Sequence, residues 1–275
     1  MSPDPVAVDP ARLREARVQA HCAAQWLARA ARSYLPARDD DGQTNLGWDG
    51  ATRALTTHPI ANRRFALTIA PLALTVGRVA PMALQGLDDA GVRERFGRVV
   101  AALGLDASRL DAPPPYEMAD DGFASGGRYG GDLDDAFDAL ARWFDFGARR
   151  IEGARAALIG HGLDAPAPRC WPHHFDLATQ ASFAVGTETA YVGAGFTPGD
   201  HYYDEPYFYV SLYPARSIVG LPDLGPVGHW RDEGFTAAVA TVSTILATGD
   251  KASAVDGFLA RATAAAIERL RRPVR

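Results

Sequence analysis

Lysine is almost missing from this chain: of 28 basic residues only Lys251 is a lysine. A Schiff-base or lysine-base mechanism would have to use Lys251, which sits in a helix-start turn, so that chemistry is not expected. Cysteine is scarce too, with Cys22 and Cys170 far apart. Two thiols do not make a disulfide framework, and they fit a reducing cytoplasm. No apolar run approaches the ~20 residues of a membrane span. The N-terminal MSPDPVAVDPARLREAR is polar and lacks the apolar stretch of a signal peptide, so a cytoplasmic location is expected. The net charge of −5 offers no basic surface, which points away from nucleic acid and anionic membrane as partners. H-E-x-x-H, G-x-S-x-G, a Walker loop and C-x-x-C are all absent. Gly193, Gly195 and Gly199 have the wrong spacing for a dinucleotide fingerprint.

What is present reads as helices early and strands late. Asp9 suits a helix N-cap and Pro10 its first turn, and Leu13, Ala16, Ala20, Ala23, Leu27, Ala30 and Tyr34 follow at helical spacing. RDDDGQTNLGWDG, from Arg38 to Gly50, fails the ligand spacing of a calcium loop and reads as turns. RFALTIAPLALTV predicts two short strands around Ala70-Pro71. Helices are expected at about 88–103, 132–159 and 252–271. The Pro-, Gly- and Asp-rich segment 105–131 is the candidate internal connector of a single domain covering 1–275. GGRYGG within it lacks the ending of a phosphate loop. From Arg169 to about Val242 the period becomes two, which predicts three or four strands. The expected class is α+β, with a mostly antiparallel sheet and helices packed on one face.

Alternate side chains of a strand point to opposite faces. CWPHHFDLAT, read as a strand, puts Trp171, His173, Phe175 and Leu177 on an apolar face and His174 with Asp176 on the other. TAYVGAGF puts Val192, Ala194 and Phe196 opposite Tyr191, Gly193 and Gly195. PYFYVSLYP puts Phe208, Val210 and Leu212 opposite Tyr207, Tyr209, Ser211 and Tyr213. The mixed faces, placed side by side, make a trough floored by Gly193 and Gly195 and lined by tyrosines, a surface suited to a small polar ligand.

In that trough His174 is the candidate base or ligand, with Asp176 as its orienter. Tyr209, Ser211 and Tyr213 are the candidate substrate contacts, and hydrolysis or proton transfer is the reaction class the parts suit. His173 reads as a core histidine. His174, Asp176 and His229 form a candidate divalent-metal set, with Asp200, His201, Asp204, Glu205, Asp232 and Glu233 as further oxygen and nitrogen donors nearby. The competing readings are a half-exposed polar sheet face, a turn at Thr197-Pro198-Gly199-Asp200, and a non-catalytic aromatic surface. In the last, Tyr207, Tyr209, Tyr213 and Trp230 hold a partner chain or a second copy in a homodimer.

CWPHHFDLAT, GFTPGDHYYDEPYFYVSLYP and GHWRDEGFTAAV, with NLGWD and ALTTHPIANRRFAL before them, resemble the motifs of a bacterial family of similar length that has no assigned activity. The resemblance spans Trp26 to about Val242. A more distant likeness is to a domain-of-unknown-function family with FWGSFDLA in place of WPHHFDLA. There Phe175 and Asp176 match but His173 and His174 do not, which implies that Asp176 matters more than either histidine.

Overall fold

A computed structural model describes residues 5–112, 114, 116, 123 and 126–272. The start of the N-terminus and part of the candidate connector 105–131 therefore lie outside the described residues. The fold is α+β with two antiparallel sheets. The chain divides into two compact units, one of residues 1–145 and 170–175, the other of 146–169 and 176–275. The divisions fall inside a helix, at Arg169–Cys170 and at Phe175–Asp176, not in the 105–131 segment.

The first unit opens with helix α1 (Pro10–Tyr34). The Asp9 carboxylate accepts a hydrogen bond from Arg12 N at 3.0 Å, and proline fills the first turn. The helical stripe from Leu13 to Ala30 is buried, as its spacing predicts, and Tyr34 at its end is half-buried. Five short strands follow as a meander: β1 (Gly47–Asp49), β2 (Ala54–Thr56), β3 (Phe65–Thr68), β4 (Ala73–Val76) and β5 (Met82–Ala83). The segment expected to be only turns contains β1 and a 3-10 turn at Gly42–Thr44. Helix α2 (Asp89–Ala102) is capped by Asp88 through Gly91 N at 2.9 Å. Its Phe96 ring meets Trp26 of α1 and Phe65 of β3 edge-on, at 6.2 and 5.9 Å, which ties helices and meander into one core.

The chain returns to this unit at Cys170, which exchanges backbone hydrogen bonds with Leu46 at 2.7 and 2.8 Å. Here the expected strand through Trp171 and Leu177 fails. β6 (Arg169–Trp171) ends, residues 172–175 form a turn, and β7 begins only at Asp176. Pro172 has no N–H to offer a ladder. Its carbonyl accepts hydrogen bonds from His21 Nε2 and Gln25 Nε2, both at 2.7 Å. Phe175 takes a left-handed φ of 58°, stacks on His21 at 5.0 Å and meets Phe144 at 5.2 Å. Burial of that ring outweighs the cost of a non-glycine residue in this region.

Helix α3 (Asp134–Gly160) begins in the first unit and ends in the second. The second unit's sheet uses β7 (Asp176–Val185), β8 (Glu188–Thr197), β9 (Tyr207–Tyr213), β10 (Gly228–Arg231) and β11 (Ala237–Thr241), in the order β10-β11-β9-β8-β7. Register aligns Leu177, Phe196, Phe208 and Ala240 in one row and Ala181, Val192 and Leu212 in another. These rows are buried and form the apolar face. Against it pack α5 (Lys251–Arg271) and the middle of α3, at Phe146 and Gly147, while the short α4 (Val242–Leu246) links β11 to α5. Among the described residues no helix is long and apolar enough to cross a membrane.

Helix α3 approaches the sheet closely at Gly147, where a Cβ would stand 2.7 Å from Phe196 Cδ1. Gly147→Val should therefore lower stability by about 1–3 kcal/mol through overpacking, read as a lower urea midpoint. An unchanged midpoint would mean that α3 does not need this contact.

Candidate functional site

The mixed face of the second unit's sheet follows the expected parity on β8 and β9. Ala178, Gly195, Tyr209, Val239 and His229 form one cross-strand row. Gln180, Gly193, Ser211, Ala237 and Arg231 form the next, and Ser182, Tyr191 and Tyr213 a third. Tyr209, Ser211, Tyr213, Gly193, Gly195 and Asp176 are thus gathered on one face.

At Gly195, however, the trough is filled. A Cβ there would lie 2.3 Å from Tyr209 Cζ, so the phenol ring lies across β8. Its hydroxyl donates a hydrogen bond to Asp176 Oδ2 at the start of β7. Gly195 is the gap that lets a side chain of β9 reach a carboxylate two strands away. Asp176 is buried, 8% exposed, and the phenol supplies it with a charge-assisted donor. Burial, followed by the Asp176 charge and hydrogen bond, raises the Tyr209 phenol well above its usual 10.0. Tyr209 is therefore a neutral donor at physiological pH.

The part of the face next to β10 is a second small core. Tyr207, Ala237 and Val239 are buried there, with Tyr203, Tyr209 and Phe235 packed on them. The turn expected at Thr197–Asp200 falls later: Thr197 ends β8, and Asp200 Oδ1 accepts from Tyr202 N and Tyr203 N at 2.7 and 3.2 Å. Asp200 Oδ2 accepts from Tyr207 Oη at 2.6 Å. Burial and then Asp200 hold the Tyr207 phenol far above its usual range. His229 Nε2 lies 2.9 Å from Tyr203 Oη, and its pKa is lowered by burial and the Arg231 charge. The Arg231 guanidinium sits 4.9, 5.2 and 5.0 Å from the rings of Tyr202, Tyr203 and Phe235.

The expected pair of His174 and Asp176 does not arise from strand alternation. His174 is an exposed residue of the turn 172–175 in the first unit, whereas Asp176 opens a strand of the second. His173, expected on an apolar strand face, is half-buried in that turn, its ring 4.1 Å from that of His174. Burial, then the neighbouring His174 charge, pushes its pKa down to about 4. The metal set of His174, Asp176 and His229 finds no support either. Among the described residues no group of three or more His, Cys, Asp or Glu is placed to hold a metal ion.

The open part of the face lies toward the β7–β8 hairpin. Tyr213 is 65% exposed and its ring stands 5.9 Å from that of Tyr191. Gln180 and Ser182 are exposed on the same face. Sequence reasoning missed both, because it ended its strand at Leu177 while β7 runs on to Val185. The alternation of Gln180, Ser182 and Ala184 with Thr179, Ala181 and Phe183 was the available signal. No family model, curated protein or solved structure matches the chain in comparisons with each.

Gly195→Ala should displace the Tyr209 ring and cost about 1–3 kcal/mol, and Tyr209→Phe a similar amount by leaving Asp176 without its phenol donor. Both changes act on one contact, so the double variant should cost clearly less than the sum in urea unfolding; strict additivity would refute the linkage.

Alkali tests the same pair. The folded phenol of Tyr209 keeps its proton above 10.0, where an unfolded tyrosine loses it. The unfolded state then binds fewer protons, so stability is intact below about pH 10 and falls as pH rises beyond it. Tyr209→Phe should flatten that fall, leaving the shares due to the other raised phenols, Tyr34, Tyr116, Tyr129 and Tyr207; an identical slope in wild type and variant would contradict the assignment.

Proposed function

We propose that this chain is a binding protein, and that the hairpin half of the second unit's mixed face holds a small polar ligand. The observation that supports this is the row of Gln180, Gly193 and Ser211. It places an amide and a hydroxyl on either side of a buried glycine, between the Tyr191–Tyr213 ring pair on one side and the Tyr209 ring on the other. Four residues along a strand separate the backbones of those flanking rows by about 13 Å. Tyrosine rings offer flat contact area, and the amide and hydroxyl fix a polar group between them. The Ser211 hydroxyl leans over Gly193, where a Cβ would come within 2.7 Å of it.

In this reading Ser211 and Gln180 hydrogen-bond the ligand, and Tyr191 and Tyr213 stack on it. The Asp176–Tyr209 pair fixes the far wall. The more distant of the two motif resemblances, which keeps Asp176 and loses the histidines, points the same way. Recognition is preferred to hydrolysis or proton transfer because the strand alternation that would pair His174 with Asp176 is broken between β6 and β7. A cytoplasmic setting agrees with Cys22 and Cys170 having no disulfide between them.

A second reading, docking of a partner chain or a second copy, is favoured by the 65% exposure of Tyr213. Native mass spectrometry of the purified protein separates the two. Ligand binding predicts a small-molecule adduct on a monomer, weakened about tenfold or more in Tyr213→Ser and Ser211→Leu with the circular dichroism unchanged. A dimer that Tyr213→Ser converts to monomer, with no adduct in either, would replace ligand binding with the docking surface.

A further inference from the structure

The open rows of the mixed face carry no charge. Ser182, Tyr191 and Tyr213 form one row, Gln180, Gly193 and Ser211 the next, and Ala184 pairs with Thr189 toward the hairpin end. None of these positions holds Asp, Glu, Lys, Arg or His, in a chain that is 22% charged. The surfaces of soluble domains normally intersperse charges of both signs. Of the charges nearby, Arg231 lies two strands beyond Ser211 in its row, with its guanidinium against the rings of Tyr202, Tyr203 and Phe235 and donating to the Glu233 carbonyl. Glu188, beside Thr189, stands 3.9 Å from Arg216. A charged ligand on these rows would give up water without gaining a counter-charge, which is unfavourable.

The rows offer hydroxyl, amide and phenol groups instead, each of which both donates and accepts hydrogen bonds. The side chains of Gln180, Ser182, Thr189, Tyr191, Ser211 and Tyr213 make no hydrogen bond to another described residue. Ser211 Oγ and Gln180 Nε2 lie 2.7 and 3.9 Å from the point where a Cβ on Gly193 would stand. Both therefore lean over the same glycine, and one ligand hydroxyl can bridge them. The Tyr191 and Tyr213 rings are 5.9 Å apart and inclined at 58°. Parallel rings would form a slot for a flat heterocycle, and rings at this angle do not. One ring can lie against the face of a puckered molecule while the other turns its edge and hydroxyl toward the rim.

Resting on the ligand-binding reading above, we propose that the ligand is a neutral pyranose sugar. A pyranose has a face of C–H groups whose slightly positive hydrogens suit the negative face of an aromatic ring. Its rim of hydroxyls both donates and accepts, as the protein groups do. Tyr213, the more exposed ring, stacks on the sugar, Tyr191 meets its rim, and Gln180 and Ser211 share one of its hydroxyls.

The test is ligand-observed saturation-transfer NMR on the full chain with the methyl glycosides of glucose, galactose, mannose and xylose, and with glucuronate and galacturonate as charged counterparts. At least one glycoside should bind with a Kd of about 10 mM or tighter, with saturation strongest at the ring C–H protons of one face. The uronates should bind about tenfold more weakly than the tightest glycoside. Tyr213→Ser and Gln180→Leu should each weaken the sugar about tenfold while the circular dichroism stays unchanged. No glycoside binding at about 50 mM, a uronate that binds as tightly as the glycosides, or sugar affinity unchanged in a folded Tyr213→Ser would each overturn the proposal. If no sugar binds but native mass spectrometry shows an adduct whose mass is not a saccharide's, the sugar assignment alone falls; with neither sugar nor adduct, ligand binding at this face falls with it.

Discussion

The second unit is organised by a phenol that reaches across a glycine to a carboxylate. Tyr209 of β9 lies over Gly195 of β8 and donates to Asp176 of β7, so three strands are joined by side chains as well as by their ladders. Each part requires the others. A side chain at position 195 would block the ring, and without the ring a buried carboxylate would lose its donor. Without the carboxylate, a buried phenol would have to find another acceptor. The contact also divides the mixed face into a closed part, where aromatic rings pack on Ala237 and Val239, and an open part around Ser211 and Tyr213.

The two faces of this sheet show how one register serves two purposes. Leu177, Phe196 and Phe208 lie in one row and meet the helices. One residue along each strand the side chains turn over, and the chemistry changes to amide, hydroxyl and phenol. Tyrosine acts in three ways there. Tyr207 and Tyr209 are buried donors to aspartates, Tyr203 packs over the small core and meets His229, and Tyr213 meets solvent. Residue type alone does not separate these roles; the neighbours do.

Much of the fold was legible because local rules and tertiary structure agree. Asp9 caps the helix that follows it, as its position in the sequence predicts, and alternation on β8 and β9 sorts their faces correctly. Legibility failed where distant residues decide. Alternation through CWPHHFDLAT predicted a strand, yet His21 and Gln25 of α1 capture the Pro172 carbonyl and bend the chain into a turn. β1 and β2 have three residues each, too few for a period to show. The glycines were the instructive case. A glycine inside a strand signals that something approaches closely, and the signal is the same whether the visitor is a ligand or the protein's own ring. At Gly195 it is the ring of Tyr209, a partner that only the β8–β9 register reveals.

The return of residues 170–175 to the first unit bears on the order of events during synthesis. The acceptor for His21 and Gln25, and the backbone partner of Leu46, are made long after α1 and the meander. At roughly 5–20 residues per second the ribosome takes seconds to travel from Asp145 to Phe175. During that interval the nascent amino-terminal unit exists without its last segment, with the Leu46 backbone unpaired and the His21 ring unstacked. Completion of the first unit is thus timed by a stretch of messenger that also encodes the end of α3, and a chain stalled before Cys170 is left incomplete in both units.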